Sequence, residues 1–328
     1  MKDWRKIMKA NCVRLSFALV LIVFCAAAMP EPSMAAESSQ ERGVSHAIIE
    51  SLTGDVYAEP SKWRELCLST FFTDGWDEPW ASPPAGGGGA PRQGWLNAYD
   101  GVFYRLGIAS YGYASDFGDN GDQQTGLLQL YLPFSRRFEF RTDIPFVVSN
   151  RGPIGNSYHT GFGDFAITPR VILSETREVT QSLNVSFRTP TGSTSNSNGV
   201  AAITPSYEIW TNWWKGLVVR GGIGFFTPYG SQSLDEAGAR ASFLGNVAVG
   251  YYFTPHDLTP IGDLVGYLSV NVGQTIDDRG PSRNTTSLSP GFRTHLGRNW
   301  YLLGAVEVPV TNPEPFDYQV LAGLMKVF

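Results

Sequence analysis

The sequence predicts an all-β fold: a transmembrane, antiparallel up-and-down β-barrel of twelve strands behind a short N-terminal extension. Three observations carry that prediction. The first is strict alternation. Phe138, Phe140, Thr142, Ile144 and Phe146 share one face of an extended segment, and Glu139, Arg141, Asp143 and Pro145 share the other. Phe165, Ile167, Pro169, Val171 and Leu173 then alternate with Asp164, Ala166, Thr168, Arg170 and Ile172. Successive side chains of a strand point to opposite faces, so period two sorts a lipid face from a lumen face. A soluble sandwich alternates too, and the other two observations separate the cases. Along the chain the connections alternate between longer and mostly shorter, as in outer-membrane barrels with long external loops and short periplasmic turns. The chain also ends in Leu324-Met325-Lys326-Val327-Phe328. A terminal Phe on an amphipathic strand resembles the signal read by the barrel-assembly machinery, which makes that machinery an expected partner through Phe328.

The elements follow in order. Residues 1–35 read as a signal peptide: Lys2, Arg5, Lys6, Lys9 and Arg14 precede an uncharged apolar run from Phe17 to Ala28, and Ser33-Met34-Ala35 offers a cleavage site. The run is too short for a membrane helix, which needs about 20 residues. A retained anchor and a lipoprotein acylated at Cys25 are the rival readings, and bulky Phe24 argues against the second. Cleavage leaves Cys67 as a lone cysteine, with no internal disulfide available, and an ordinary buried position is expected for it.

Residues 36–100 form the extension, periplasmic or plug-like. Ser45 to Leu52 is a short helical candidate, and Pro60-Ser61 starts a second one over 62–66. Residues 71–80 are dense in aromatics and acids, and Pro83-Pro84 with Gly86 to Gly89 reads as a linker. Either Trp76, Trp80 and Trp95 touch ligand or wall as part of a plug, or they pack an ordered arm; composition favours the arm. Asp74, Asp77 and Glu78 lack the spacing of a calcium loop.

Residues 101–328 form the barrel. The twelve alternating segments are roughly 101–113, 124–133, 137–147, 163–173, 182–190, 202–210, 217–226, 241–253, 263–273, 287–295, 300–308 and 316–328. Most have the length of a tilted strand that crosses a bilayer. Both chain ends then fall on the side of the short turns. Phe134, Trp210, Trp213, Trp214, Tyr252, Phe253 and Trp300 cluster at that end, where an aromatic girdle is expected. The composition agrees, with 36 Gly and 13% aromatics.

Charge placement names the candidate site. Arg105, Glu139, Arg141, Asp143, Asp164, Arg170, Arg188, Glu208, Arg220, Arg293 and Glu307 all fall on the face opposite the apolar one. A basic side chain facing lipid at the midplane costs about 2–4 kcal/mol, so these residues are expected to line the lumen. There they either order permeating solutes or fill a narrow interior with salt bridges. The net charge of −5 argues against a nucleic-acid partner. Outer-membrane lipid, lipopolysaccharide and small-molecule solutes are the expected partners. Loop acids such as Asp116, Asp119, Asp122, Asp235, Glu236, Asp277 and Asp278 read as solvated.

No enzyme is expected, and no catalytic residue, cofactor or metal. A lipid-hydrolysing barrel needs a nucleophile, a base and an orienting group held on a rigid wall. Ser157 and His159 stand in the wrong order and in an expected external loop. No two histidines sit at ligand spacing. Gly221-Gly222-x-Gly224 lies inside a strand and cannot cradle a phosphate.

Gly161-Phe162-Gly163-Asp164 opening a strand, Pro169-Arg170 within it, and Thr189-Pro190-Thr191-Gly192 closing the next are the basis of a resemblance. Over about 101–328 the chain resembles an outer-membrane barrel family named for the meta-pathway of phenol degradation. The resemblance implies a porin-like channel or uptake transporter in the bacterial outer membrane for small molecules, hydrophobic or aromatic ones included. The alternatives are a non-conducting structural or adhesive barrel and, further off, the lipid hydrolase.

Overall fold

A computed structural model describes residues 58–328 apart from 86–91, 120, 152–157, 193–198, 215, 231–232, 234–238, 259, 279–283 and 313. The expected signal peptide and the helical candidate at 45–52 lie outside the described residues. The strands are β1 (Leu106–Ser115), β2 (Gln123–Pro133), β3 (Phe138–Arg151), β4 (Tyr158–Gly161), β5 (Ala166–Glu175), β6 (Val179–Arg188), β7 (Ala202–Trp214), β8 (Leu217–Pro228), β9 (Ala239–Tyr252), β10 (Gly262–Asp278), β11 (Thr285–Gly297), β12 (Trp300–Pro309) and β13 (Tyr318–Val327). Each wall strand pairs antiparallel with its neighbours, and β1 closes on β13 from Leu106↔Val327 to Ser115↔Tyr318. β4 pairs only with β3, inside the loop between β3 and β5, so twelve strands make the closed wall. Closure leaves no strand edge for lipid to meet.

The two faces sort as the alternation requires. Leu183, Ile223, Phe225, Val247, Val249, Leu268, Val306 and Val320 are exposed, whereas Glu139, Arg170, Glu208, Arg220 and Arg293 are buried. An apolar outside around a charged inside inverts the pattern of a soluble protein. The wall strands are joined at one end by tight connections. Arg298 and Asn299, between β11 and β12, both have positive φ, 50° and 59°, which suits the turn that matches strand twist.

Several expectations need correction. The first strand begins at Leu106 and not at 101, because 101–105 run inside the barrel. Trp210 and Tyr252 do not belong to the aromatic girdle: both are buried. Trp210 shares its phase with inward-facing Glu208, and Tyr252 with Asn246 and Ala248. Trp214, which follows a register shift after Thr211 that breaks the phase of β7, and Phe253, one residue beyond the end of β9, are exposed at the same end. Cys67 is exposed, not buried. The helix expected after Pro60 is one 3-10 turn, Pro60–Lys62.

The extension divides in two. Residues 58–85 pack on the short-turn end: Leu66 bridges Glu175, Arg136 donates to Glu175 at 2.8 Å, and Arg137 donates from Nη2 to the carbonyls of Cys67 and Thr70. Residues 92–105 bond to side chains from β2, β3, β7, β8, β9, β10, β11 and β12. A single short segment can reach opposite walls of a closed cylinder only from within it.

Candidate functional site

The site is the lumen, and the insert of residues 92–105 fills it. Asp100 is its hub. Asp100 Oδ1 accepts from Arg220 Nη1 at 2.9 Å and from Gly94 N at 3.2 Å, and Oδ2 accepts from Tyr131 OH at 3.1 Å and Gln93 Nε2 at 3.4 Å. Arg220 also donates to the Arg92 carbonyl at 2.8 Å and lies over the Trp95 ring, 4.0 Å from its centroid. Trp95 in turn stacks on Tyr267 at 4.7 Å and 5°. The guanidinium thus lies against an aromatic face with both terminal nitrogens bonded, which offsets much of the cost of burying it, while its Nε is buried without a partner among the described residues.

Further contacts continue around the wall. The Asn97 carbonyl accepts from Ser269 Oγ at 2.6 Å and from Asn246 Nδ2 at 3.1 Å, and Asn97 Nδ2 donates to Glu307 at 2.6 Å. Gly101 N donates to Glu208 at 2.9 Å, and Tyr104 N to Glu139 at 3.1 Å. Gly101 has φ +65°, and an added Cβ would meet the Ile209 backbone at 3.3 Å, so glycine suits both the conformation and the close approach there. Arg170 bridges Glu139 and Glu208, the latter at 3.4 Å, and lies over Phe103. Arg293 donates to the Gln93 carbonyl and, at 2.9 Å, to Tyr252 OH. Near the short-turn end Arg92 lies 4.4 Å from the Trp210 ring and donates to the carbonyls of Pro84, Thr176 and Arg177.

The expected lumen residues therefore divide by depth. Glu139, Arg170, Glu208, Arg220, Arg293 and Glu307 meet the insert or one another. Arg141 and Asp143 pair on β3 at 3.0 Å. Asp164 and Arg188 pair at 2.7 Å at the opposite end from the short turns, where Asp164 also accepts from Gly192 N. Arg105 lies just before β1, over the Phe328 ring at 5.6 Å, and its carbonyl accepts from Phe328 N. The three tryptophans part company as well. Trp95 is inside, Trp80 is buried with its ring against Tyr104, and Trp76 is in the arm, donating to the Phe71 carbonyl and packing edge-on to that ring. Ser157 lies outside the described residues.

The fold has known counterparts. The crystal structure of the COG4313 outer membrane channel from Pseudomonas putida F1 matches with a TM-score of 0.50 and 14% identity, covering 69% of this chain and 96% of that one. A bacterial polysaccharide outer membrane secretin matches at 0.40 and 10%, covering 69% and 99%. The translocator domain of autotransporter NalP from Neisseria meningitidis matches at 0.38 and 12%, covering 68% and 88%. The first of these likenesses shows the barrel fold. No family model matches the chain. No curated protein matches it either.

The residues that sequence reasoning missed are those of the insert: Arg92, Gln93, Asn97 and Asp100, with Asn246, Tyr131 and Tyr267 opposite them. One signal was available. Residues 92–105 follow a glycine run and lack the alternation of every segment after them.

Proposed function

We propose that the protein is an outer-membrane channel for small molecules that its own N-terminal insert holds closed at rest. The observation that carries this reading is the filling of a charged lumen by a chain segment held mainly through side-chain hydrogen bonds. Such bonds exchange readily with water as the segment shifts, because each is worth only about 0.5–1.5 kcal/mol net, or 1.5–3 where charge is involved. The aromatic lining of Tyr131, Trp210, Tyr252, Tyr267 and Tyr301 fits hydrophobic or aromatic solutes among the permeants. The likeness to a solved outer-membrane channel supports the barrel and its setting, while the permeant rests on the lining alone.

A second reading, a permanently sealed structural barrel, draws on the buried Arg220–Asp100 pair, which resists opening. Purified full-length chain in planar bilayers separates the two. The channel reading expects brief voltage-dependent openings over a closed baseline, and proteoliposomes that swell faster in aromatic solutes than in sugars of equal size. A membrane that stays sealed at all voltages and protein loads, with no solute-dependent swelling, would leave the structural reading.

A further inference from the structure

Toward the short-turn end, one cluster of ligating side chains among the described residues has no role in the channel reading. His256 lies in the β9–β10 turn, Asp263 at the start of β10 and His295 near the end of β11. Each offers one ligand atom, and the three atoms lie within 4.8 Å of one another.

The hydrogen bonds define which atoms are free. The His295 Nδ1 lies 3.2 Å from the His256 carbonyl. A carbonyl only accepts, so Nδ1 carries the proton and Nε2 keeps its lone pair. That Nε2 is buried and has no hydrogen-bond partner. Asp263 bonds through Oδ2 to His256 Nδ1 at 2.6 Å, and its Oδ1 is also buried without a partner. The Asp263 side chain is fully buried, and the His256 side chain is 45% exposed. Each of these buried acceptors is costly unless a donor or a positive charge meets it. Backbone-fixed imidazole is also the way protein metal sites hold their histidine tautomer.

We propose that His256, Asp263 and His295 bind a divalent transition-metal ion of the Zn2+ class. Two imidazoles and one carboxylate suit a borderline ion and leave a coordination position for water. The His256 and His295 rings stack at 4.4 Å and 13°. Parallel rings direct their lone pairs alongside one another, so ligation requires the half-exposed His256 ring to turn out of the stack. Room and access exist: a cavity of about 300 Å³ opens beside it, lined by His256, Tyr104, Tyr301, Asn299, Ser82 and Phe328. The ion would clasp two of the short-turn connections together next to Tyr104, the last aromatic of the insert.

The test uses untagged full-length chain in detergent, stripped with chelator and titrated with Zn2+ by calorimetry and equilibrium dialysis. One ion per chain is expected, with a rise in unfolding temperature that chelator reverses. His256→Gln, Asp263→Asn and His295→Gln should each weaken binding at least about tenfold, the smallest loss expected even when an outer partner of a ligand is removed. His256→Gln alters a half-exposed side chain and leaves folding intact, which keeps the test valid if the buried variants misfold. His159→Gln, on β4, should bind like the parent. Absence of Zn2+ binding, or binding that survives His256→Gln unchanged, overturns the proposal.

Discussion

Arg220 on β8 and Asp100 in the insert form an ion pair at 2.9 Å, with neither side chain more than 10% exposed. This pair fixes the insert to the wall near the centre of its path. Removing one charge leaves the other buried and uncompensated, which costs about 3–5 kcal/mol. Asp100→Asn is therefore expected to lower the unfolding midpoint and to raise the open probability in planar bilayers. Native stability together with a native closed baseline would show that the pair does not hold the insert.

Gly250 on β9 gives an independent route to the same state. A Cβ there would run into the Trp95 ring. Gly250→Leu is expected to unseat Trp95 from Tyr267, at an overpacking cost of about 1–3 kcal/mol. Trp emission should shift to the red and conductance should rise while the barrel remains folded. If emission is unchanged, Trp95 does not occupy this place.

Leu268, midway along β10, is 48% exposed on the outer face. Leu268→Arg is expected to destabilise the barrel folded into lipid vesicles by about 2–4 kcal/mol if it lies at the midplane. Equal refolding of variant and parent in lipid would mean that this face is wet.

Acid should release the arm. Arg64 pairs with Asp74 at 3.2 Å and with Glu78. The hydrogen bond from Arg64 holds the Glu78 carboxyl below its usual range, and bonds from Thr73 and then Arg64 do the same for Asp74. Carboxyls depressed in the folded state stabilise it fully above their unfolded values, near pH 4, and lose that contribution as pH falls through the folded values. Protease sensitivity within 58–85 should thus rise below about pH 4 and be flat from pH 6 to 8. A flat profile down to pH 3 would assign the arm's hold to Arg136 and Arg137 instead.

The wall was legible because alternation is a local property: Phe138 and Glu139 declare their faces without knowledge of any partner. Trp210 and Tyr252 were misplaced by composition although their phase was readable from Glu208 and Asn246. The contents of the lumen were hidden for a different reason. Asp100 and Arg220 lie 120 residues apart, and Asn97 and Glu307 lie 210 apart. Polar partners on separate strands carry no mutual signature along the chain, and the same holds for His256 and His295, 39 residues apart on different turns. The reach of β10 to Asp278 and the small hairpin strand β4 also depend on pairing, not on pattern.

Residues 92–105 continue directly into β1, the strand that meets β13 at the seam. An added Cβ on Gly94 would strike the sulfur of Met325, on β13 itself. The insert therefore lies across the seam, joined to the first stave and touching the last. Whatever seats or unseats this cargo bears on the one junction where the two ends of the wall meet.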